Sequence, residues 1–291
     1  MRATVALVAV TAVWGVTFVQ VKDAVAIYPL FAFLAVRFAI AGCTLAVPGA
    51  RRLRSLGRRG LRAAIVAGGL IGAGYALQTA GLERSSVSST GFITGMSVVL
   101  TPVLALVLFR IRAGRTAWTG VVLATAGLAL LAGVHRGSAL GDVLVLASAA
   151  VYALQIVLME RYAPRYDAVA FTLVEMLAAF AGLLAIALAR GELSVPRGWT
   201  VWGALVVTGV FASALAFLVQ TWAQRRASAT QTAVAFSLEP VWAAFFGFTL
   251  AGDRLGVAGW CGCAAILGGI AIAEPSAGDT LFRLVRRPRL G

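Results

Sequence analysis

Three ionisable side chains lie well inside long apolar runs of this sequence: Arg37, Glu175 and Glu239. A charge at the middle of a bilayer costs roughly 2.5–3.5 kcal/mol on insertion scales, so such residues tend to face a cavity or a partner. A guanidinium offers a planar fork of donors to a carboxylate or a phosphate. A buried carboxylic acid such as Glu175 can serve as a proton site. The structural alternatives are an internal salt bridge from Arg37 to Glu239 or Glu175, and a hydrogen bond from Glu175 to a neighbouring helix.

Two prolines also interrupt apolar runs. Pro240 follows Glu239 and has no amide hydrogen to donate, so we expect it to free the carbonyl of Phe236 and to kink its helix. Pro102 is expected to break an earlier run in the same way. A kink beside a cavity presents a carbonyl and a carboxylate to a ligand. The alternative is that Pro240 only shapes the bundle and that Glu239 pairs with an arginine of another helix.

Aromatic and amide side chains accompany these charges and suit a site for a zwitterionic or partly apolar metabolite. Some of them are equally suited to anchoring helices at the membrane interface. The predicted substrate-binding residues are Trp14, Arg37, Tyr75, Gln78, Tyr152, Gln155, Glu175 and Glu239.

The elements that must position these residues are membrane-spanning helices. The 291-residue chain is 60% hydrophobic and only 12% charged, with a mean hydropathy of +0.92, whereas soluble domains are about half apolar and about a quarter charged. Apolar runs long enough to cross a bilayer recur along the chain. They predict an all-α integral membrane protein with ten spans, at roughly 3–21, 29–48, 63–82, 87–109, 117–134, 143–161, 168–189, 200–221, 231–251 and 256–274.

The basic residues predict the orientation of these spans. The net charge of +14 does not indicate nucleic acid, because the positive charges lie in short loops. Loops after even-numbered spans, together with both termini, hold about 18 of the 25 Lys and Arg residues. By the positive-inside rule both termini are therefore cytoplasmic. The predicted location is the plasma membrane, as a multi-pass protein of the bacterial inner membrane. Cys43, Cys261 and Cys263 have neither zinc nor disulfide spacing, and neither a metal nor another cofactor is expected.

Matching residues recur at an offset of about 142 along the chain. Gln78-Thr79 matches Gln220-Thr221, Trp118-Thr-Gly120 matches Trp260-Cys-Gly262, and Gly127 matches Gly269. Five spans in each half is an odd number, so the halves enter the membrane in opposite orientations around a central cavity, as in many secondary transporters. The predicted domains are residues 1–134 and 142–274, followed by a basic cytoplasmic tail at 275–291.

The motifs resemble the EamA-type members of the drug/metabolite transporter superfamily. Trp14-Gly-Val-Thr-Phe18 resembles that family's opening, Gly91-Phe-Ile-Thr-Gly-Met-Ser-Val-Val-Leu-Thr-Pro102 its fourth helix, and Ser237-Leu-Glu-Pro240 its ninth. Arg115 and Asp253 depart from the Gly-Glu that usually follows those two helices. The resemblance implies ten helices in two inverted five-helix repeats, a central cavity, and export or uptake of small metabolites.

The predicted function is thus secondary transport of small amino-acid-like or drug-like solutes by alternating access, with export as the expected direction. The partners expected are a small-molecule substrate and the lipid bilayer, without nucleic acid, and a homodimer is possible. A passive channel or a lipid scramblase is the alternative. A membrane-embedded enzyme is a weaker one, because His135 and Asp142 are the single constellation available for it.

Overall fold

The computed structural model describes residues 2–85, 87–132, 138–242, 245 and 256–273. Within those residues the regular secondary structure is entirely helical. The α-helices are α1 (Arg2–Val25), α2 (Leu30–Ala50), α3 (Gly57–Leu82), α4 (Val87–Gly95), α5 (Ser97–Phe109), α6 (Arg115–Ala132), α7 (Ala139–Tyr162), α8 (Ala168–Ala189), α9 (Trp199–Gly209), α10 (Ala216–Ala223), α11 (Ala229–Phe236) and α12 (Val257–Ala273). A π-helical segment, Val210–Leu215, joins α9 to α10.

The chain is a multi-pass membrane protein. Seven helical segments of the described chain are long and apolar enough to cross a bilayer, and α12 is a shorter apolar helix. The seven segments are Arg2–Val25, Leu30–Ala50, Leu53–Leu82, Thr90–Phe109, Ala139–Arg165, Ala168–Ala189 and Trp199–Ala223. Helix occurs at each of the ten predicted spans. That the chain crosses the membrane ten times stays a prediction. The end of the ninth span, His135 and the basic tail lie outside the described residues.

Three of the predicted spans are not continuous α-helices. In the ninth, two turn residues at 237–238 separate α11 from a helical turn at 239–242. The fourth is divided at Met96, between α4 and α5, whereas Pro102 lies inside α5. The break was expected at Pro102, but a proline there removes a single backbone hydrogen bond, and α5 continues through it to Phe109. The eighth span contains the π segment.

Polar side chains fix where several helices begin. The side chain of Asp167 accepts a hydrogen bond of 3.0 Å from the amide of Ala170, at the start of α8. Ser228 and Gln231 form a reciprocal capping box at the start of α11. Such caps satisfy amide groups that the helix itself leaves unpaired.

Equivalent helices of the two halves pack against each other. α2 packs on α8, and α6 packs on α12. Glycines allow the second pair to approach closely. A Cβ atom on Gly120 would lie 2.7 Å from the carbonyl oxygen of Gly269, and one on Gly127 would lie 2.6 Å from that of Gly262. Packing of α3 on α7 has its counterpart in α1 against α9 and α10. This is the arrangement expected of an inverted repeat.

Candidate functional site

A cavity lies between the two halves, with walls from α1, α2, α3, α7, α10 and the broken fourth and ninth spans. The empty space within it, including the part that is open to solvent, is about 840 Å³. Seven of the eight predicted substrate-binding residues line it: Trp14, Arg37, Tyr75, Gln78, Tyr152, Gln155 and Glu239. The predicted helix breaker Pro240 lines it as well. The eighth, Glu175, and the predicted helix breaker Pro102 do not line it.

Arg37 is buried, with 3% of its surface exposed, and is held by three groups. Its Nε donates to Ser213 Oγ at 2.8 Å, and its Nη2 donates to the hydroxyl of Tyr75 at 3.1 Å and to the carbonyl of Ala212 at 3.4 Å. The guanidinium carbon also lies 4.4 Å from the centre of the Tyr75 ring. Among the described residues Nη1 has no hydrogen-bond partner. One arm of the guanidinium fork is therefore available to a ligand in the cavity.

The π segment supplies two of these acceptors. Its carbonyl at Ala212 also accepts a hydrogen bond of 2.8 Å from Nε1 of Trp14. A π-helix shifts the backbone bonding by one residue and often occurs at functional sites. Here it lets one carbonyl serve both Trp14 and Arg37, and it directs Ser213 towards the guanidinium.

Glu239 lies at the start of the helical turn at 239–242, which two residues separate from the end of α11. Arg37 is the charged side chain that interacts electrostatically with it. The two do not form a salt bridge in the described structure, where the ion pairs are at other positions. No hydrogen-bond partner of the Glu239 side chain occurs among the described residues either. The cavity thus presents a guanidinium and a carboxyl group that do not contact each other directly.

Glu175 has a different environment. It is fully buried on α8, where one carboxylate oxygen accepts from Gln155 Nε2 at 3.3 Å and the other from the Thr221 hydroxyl at 3.4 Å. This is the hydrogen-bonded structural alternative rather than an ion pair with Arg37. Because Gln155 lines the cavity, Glu175 contacts the site through that amide.

Gln155 belongs to a chain of amides that crosses from α7 to α10. Gln220 Nε2 donates at 2.9 Å to the side-chain oxygens of both Gln155 and Gln224. Gln224 in turn donates at 2.9 Å to the carbonyl of Ile156. The side-chain oxygen of Gln220 is buried, and no hydrogen-bond partner for it occurs in the part of the chain that the structure describes. Gln220 itself lines the cavity.

A second polar group spans the other wall. The hydroxyl of Tyr152 donates to Gln78 Oε1 at 3.3 Å, and Gln78 Nε2 donates to Thr94 at 3.0 Å. The rings of Tyr75 and Tyr152 meet edge to face with centres 5.7 Å apart. The ring of Trp14 packs against that of Phe236, with the ring centres 4.8 Å apart. The cavity therefore combines aromatic faces with amide and hydroxyl groups.

Comparison with known proteins agrees with this architecture. The pattern of the EamA-like transporter family matches residues 1–133 and again residues 139–273. The chain belongs to that family. An uncharacterized transporter of Archaeoglobus fulgidus is 29% identical over 258 residues, which cover 88% of this chain and 80% of the relative. One solved crystal structure of a protein superposes with a TM-score of 0.78 over 96% of this chain and 98% of that one, at 20% identity, and this likeness shows the fold alone.

As an EamA-like family member, the chain is a membrane transporter. Several contributors to the site were not among the predicted residues, and Ser213 and Thr94 are two of them. Both are polar residues inside apolar runs, and that signal could have selected them. Gln220 is likewise a polar residue inside an apolar run, and it also matches Gln78 in the internal repeat. Nothing in the residues at 210–215 marks a π-helix. Asp142 belongs to the pair of residues named for the enzyme alternative, and its carboxylate accepts a hydrogen bond of 2.9 Å from the hydroxyl of Ser85.

Proposed function

We propose that this EamA-like transporter moves small zwitterionic organic solutes across the plasma membrane by alternating access, in the direction of export. Arg37 binds the carboxylate of the solute and Glu239 its ammonium group. The observation that carries the proposal is that a guanidinium and a carboxyl group face one aromatic-walled cavity without a salt bridge between them.

The contacts of Arg37 support its role as the anion site. Three acceptors hold Nε and Nη2 in place, while Nη1 is left for a ligand. A guanidinium that is already ordered loses little freedom when it binds a carboxylate, and the hydrogen bonds formed between such charged groups are the strong ones.

The rings around the cavity support binding of an uncharged side chain. Trp14, Tyr75, Tyr152 and Phe217 line the same cavity as Arg37 and Glu239. Such faces bury an apolar group, and they also attract the ammonium of the solute. A small solute with both charges and an apolar or aromatic group satisfies all of these surfaces together.

Helix breaks beside the cavity support alternating access. Gly95 and Ser97 flank the division of the fourth span, Pro240 follows the division of the ninth, and all three line the cavity. Positions where a helix is already interrupted can take up large backbone rotations, so the two halves can rock around the bound solute.

The test uses three solutes with the same ring and different charges. Phenylalanine carries both groups, phenethylamine lacks the carboxylate, and 3-phenylpropanoate lacks the ammonium. Purified protein in liposomes is expected to show saturable counterflow of phenylalanine and to discriminate against both analogues. Equal flux of all three, flux without saturation or counterflow, or transfer of labelled lipid between leaflets would instead indicate a channel or a scramblase.

Two variants assign the charges. Arg37→Gln is expected to lose discrimination against phenethylamine, and Glu239→Gln against 3-phenylpropanoate. Each loses phenylalanine affinity by about 10- to 150-fold, the value of one hydrogen bond to a charged group. Glu83→Gln removes an acid that lies at the end of α3, outside the cavity, and is the matched control. If Glu239→Gln transports like that control, the assigned role of Glu239 is wrong.

A further inference from the structure

A second concave site lies at one end of the bundle, where α3 of the first half meets α7 of the second. Its lining includes four arginines and two tyrosines: Arg59, Arg62, Arg161, Arg165, Tyr162 and Tyr166. We call it the arginine groove. The distribution of basic residues assigns this end to the cytoplasmic side. Nothing in the transport cycle proposed above uses this groove.

The four arginines converge because of their spacing. Arg59 and Arg62 are three residues apart on α3, so they share one helix face. Arg161 lies in the last turn of α7, and Arg165 ends the short 3₁₀ turn Ala163–Arg165 that follows. The positive-inside rule explains why arginines occur on this side of a membrane, but it does not require four of them to line one groove.

The neighbouring acids are occupied elsewhere. Asp167 pairs with Arg52 at 3.3 Å and caps α8. Glu160 accepts a hydrogen bond of 3.1 Å from the amide of Ala229. In the described part of the chain, none of the four arginines of the groove forms an ion pair. Arg161 instead lies over the ring of Phe109, with its guanidinium carbon 5.5 Å from the ring centre. The groove is thus strongly cationic.

Packed side chains form a fixed floor beneath these charges. The ring of Tyr166 lies against Gly60, where a Cβ atom would be only 2.7 Å from Tyr166 Cε1. The same ring stacks on Phe171 with centres 5.9 Å apart. Phe171 and Met159 are buried in the cluster below. A floor of this kind holds the groove open in one shape.

One side of the groove is apolar and leads to the surface of the bundle. Ala63, Val66 and Leu158 complete the lining. Val66 is 55% exposed, and its neighbour Ile65 is 49% exposed. In a membrane protein such a face contacts the acyl chains of the bilayer. The groove therefore joins a cluster of phosphate-binding groups to a hydrocarbon-facing surface.

We propose that the arginine groove binds the phosphodiester headgroup of an anionic phospholipid of the cytoplasmic leaflet, with an acyl chain along Val66. Arginine forks match the geometry of phosphate oxygens, and basic pockets between transmembrane helices on this side suit anionic headgroups. A free phosphate shares the headgroup chemistry but leaves the apolar flank unused. A lipid bound here bridges one helix of each half.

The test measures binding to the full-length protein in detergent. The probes are dioleoyl phosphatidylglycerol, dioleoyl phosphatidylcholine and soluble glycerol phosphate. Binding of each probe is measured as the shift in melting temperature of the protein and as retention of the probe in native mass spectrometry. We expect phosphatidylglycerol to raise the melting temperature more than the other two. Arg59→Gln/Arg62→Gln is expected to bind it about 30-fold more weakly, since each arginine near an anionic surface contributes about one factor of five.

Arg51→Gln/Arg54→Gln is the matched control. It removes the same charge from the segment that precedes α3, and neither residue lines the groove. We expect this control to retain the binding of phosphatidylglycerol. The proposal is overturned if phosphatidylcholine stabilises the protein equally, if both double variants lose binding to the same extent, or if glycerol phosphate at the same concentration reproduces the whole shift. The last result would assign the groove to a free phosphate.

Discussion

Gly268 and Gly269 are neighbours on α12 but have opposite surroundings. A Cβ atom on Gly269 would lie 2.8 Å from the carbonyl oxygen of Gly120 and 3.1 Å from the amide nitrogen of Ala124. Both atoms belong to the backbone of α6, so they cannot move aside without separating the helices. A Cβ atom on Gly268 would have no neighbour within 4 Å. The same change to alanine at both positions therefore measures close packing between the halves.

The magnitude follows from two terms. Replacing glycine by alanine inside a helix gains about 1 kcal/mol at either position. Overpacking a tight contact costs about 1–3 kcal/mol, and this term applies to Gly269→Ala alone. The difference between the two variants is then about 1–3 kcal/mol, which corresponds to roughly 2–10 °C in melting temperature for a chain of a few hundred residues.

The assay is heat denaturation in one detergent, read as the monodisperse fraction that remains after a temperature series. We expect Gly268→Ala to melt at or above the wild-type temperature and Gly269→Ala below Gly268→Ala. If the two variants melt together, the close approach of α6 and α12 is refuted, and with it the packing that we infer between the equivalent helices.

Three further comparisons use the same assay. Trp14→Phe keeps an aromatic ring but loses the hydrogen bond to the carbonyl of Ala212 in the π segment, and should lower the stability by about 1 kcal/mol; an unchanged melting temperature would show that this bond does not stabilise the protein. Asp167→Ala loses a helix cap worth about 1 kcal/mol, while Arg52→Ala loses only an exposed ion pair worth about 0–1 kcal/mol, so the reverse ranking would contradict the capping geometry. Glu175→Leu leaves the buried amide of Gln155 without its acceptor, at a cost of about 1–3 kcal/mol, and Glu175→Gln, whose side-chain oxygen can still accept from Gln155, should cost less; equal losses would show that this acceptor does not matter.

Much of the site follows from the sequence because polar groups inside a bilayer must have a partner or a cavity. Arg37 and Glu239 were identifiable on that ground alone, and both line the cavity. The prolines Pro102 and Pro240 also indicated that the fourth and ninth spans are interrupted. The position of the first interruption, at Met96, could not be predicted, because it depends on how α4 packs as well as on the proline.

The rotation of a helix about its own axis is harder to predict. Glu175 was grouped with the cavity residues because it lies in mid-span, but α8 presents it to Gln155 and Thr221 instead. The backbone of α8 at Glu175 lies directly against Gly68 of α3. That contact sets the rotation of α8, and only the assembled bundle reveals it. The π segment escaped prediction for a similar reason, since the composition of residues 210–215 also suits an ordinary α-helix.

The glycine contacts between α6 and α12 have a crossed pattern. By the repeat offset, Gly120 is equivalent to Gly262, and Gly127 to Gly269. In the structure Gly120 meets Gly269, and Gly127 meets Gly262. Each position therefore contacts the equivalent of the other, which is the rule of an isologous interface between two copies of one subunit. The contacts between α6 and α12 therefore have the two-fold geometry of a dimer interface within a single chain.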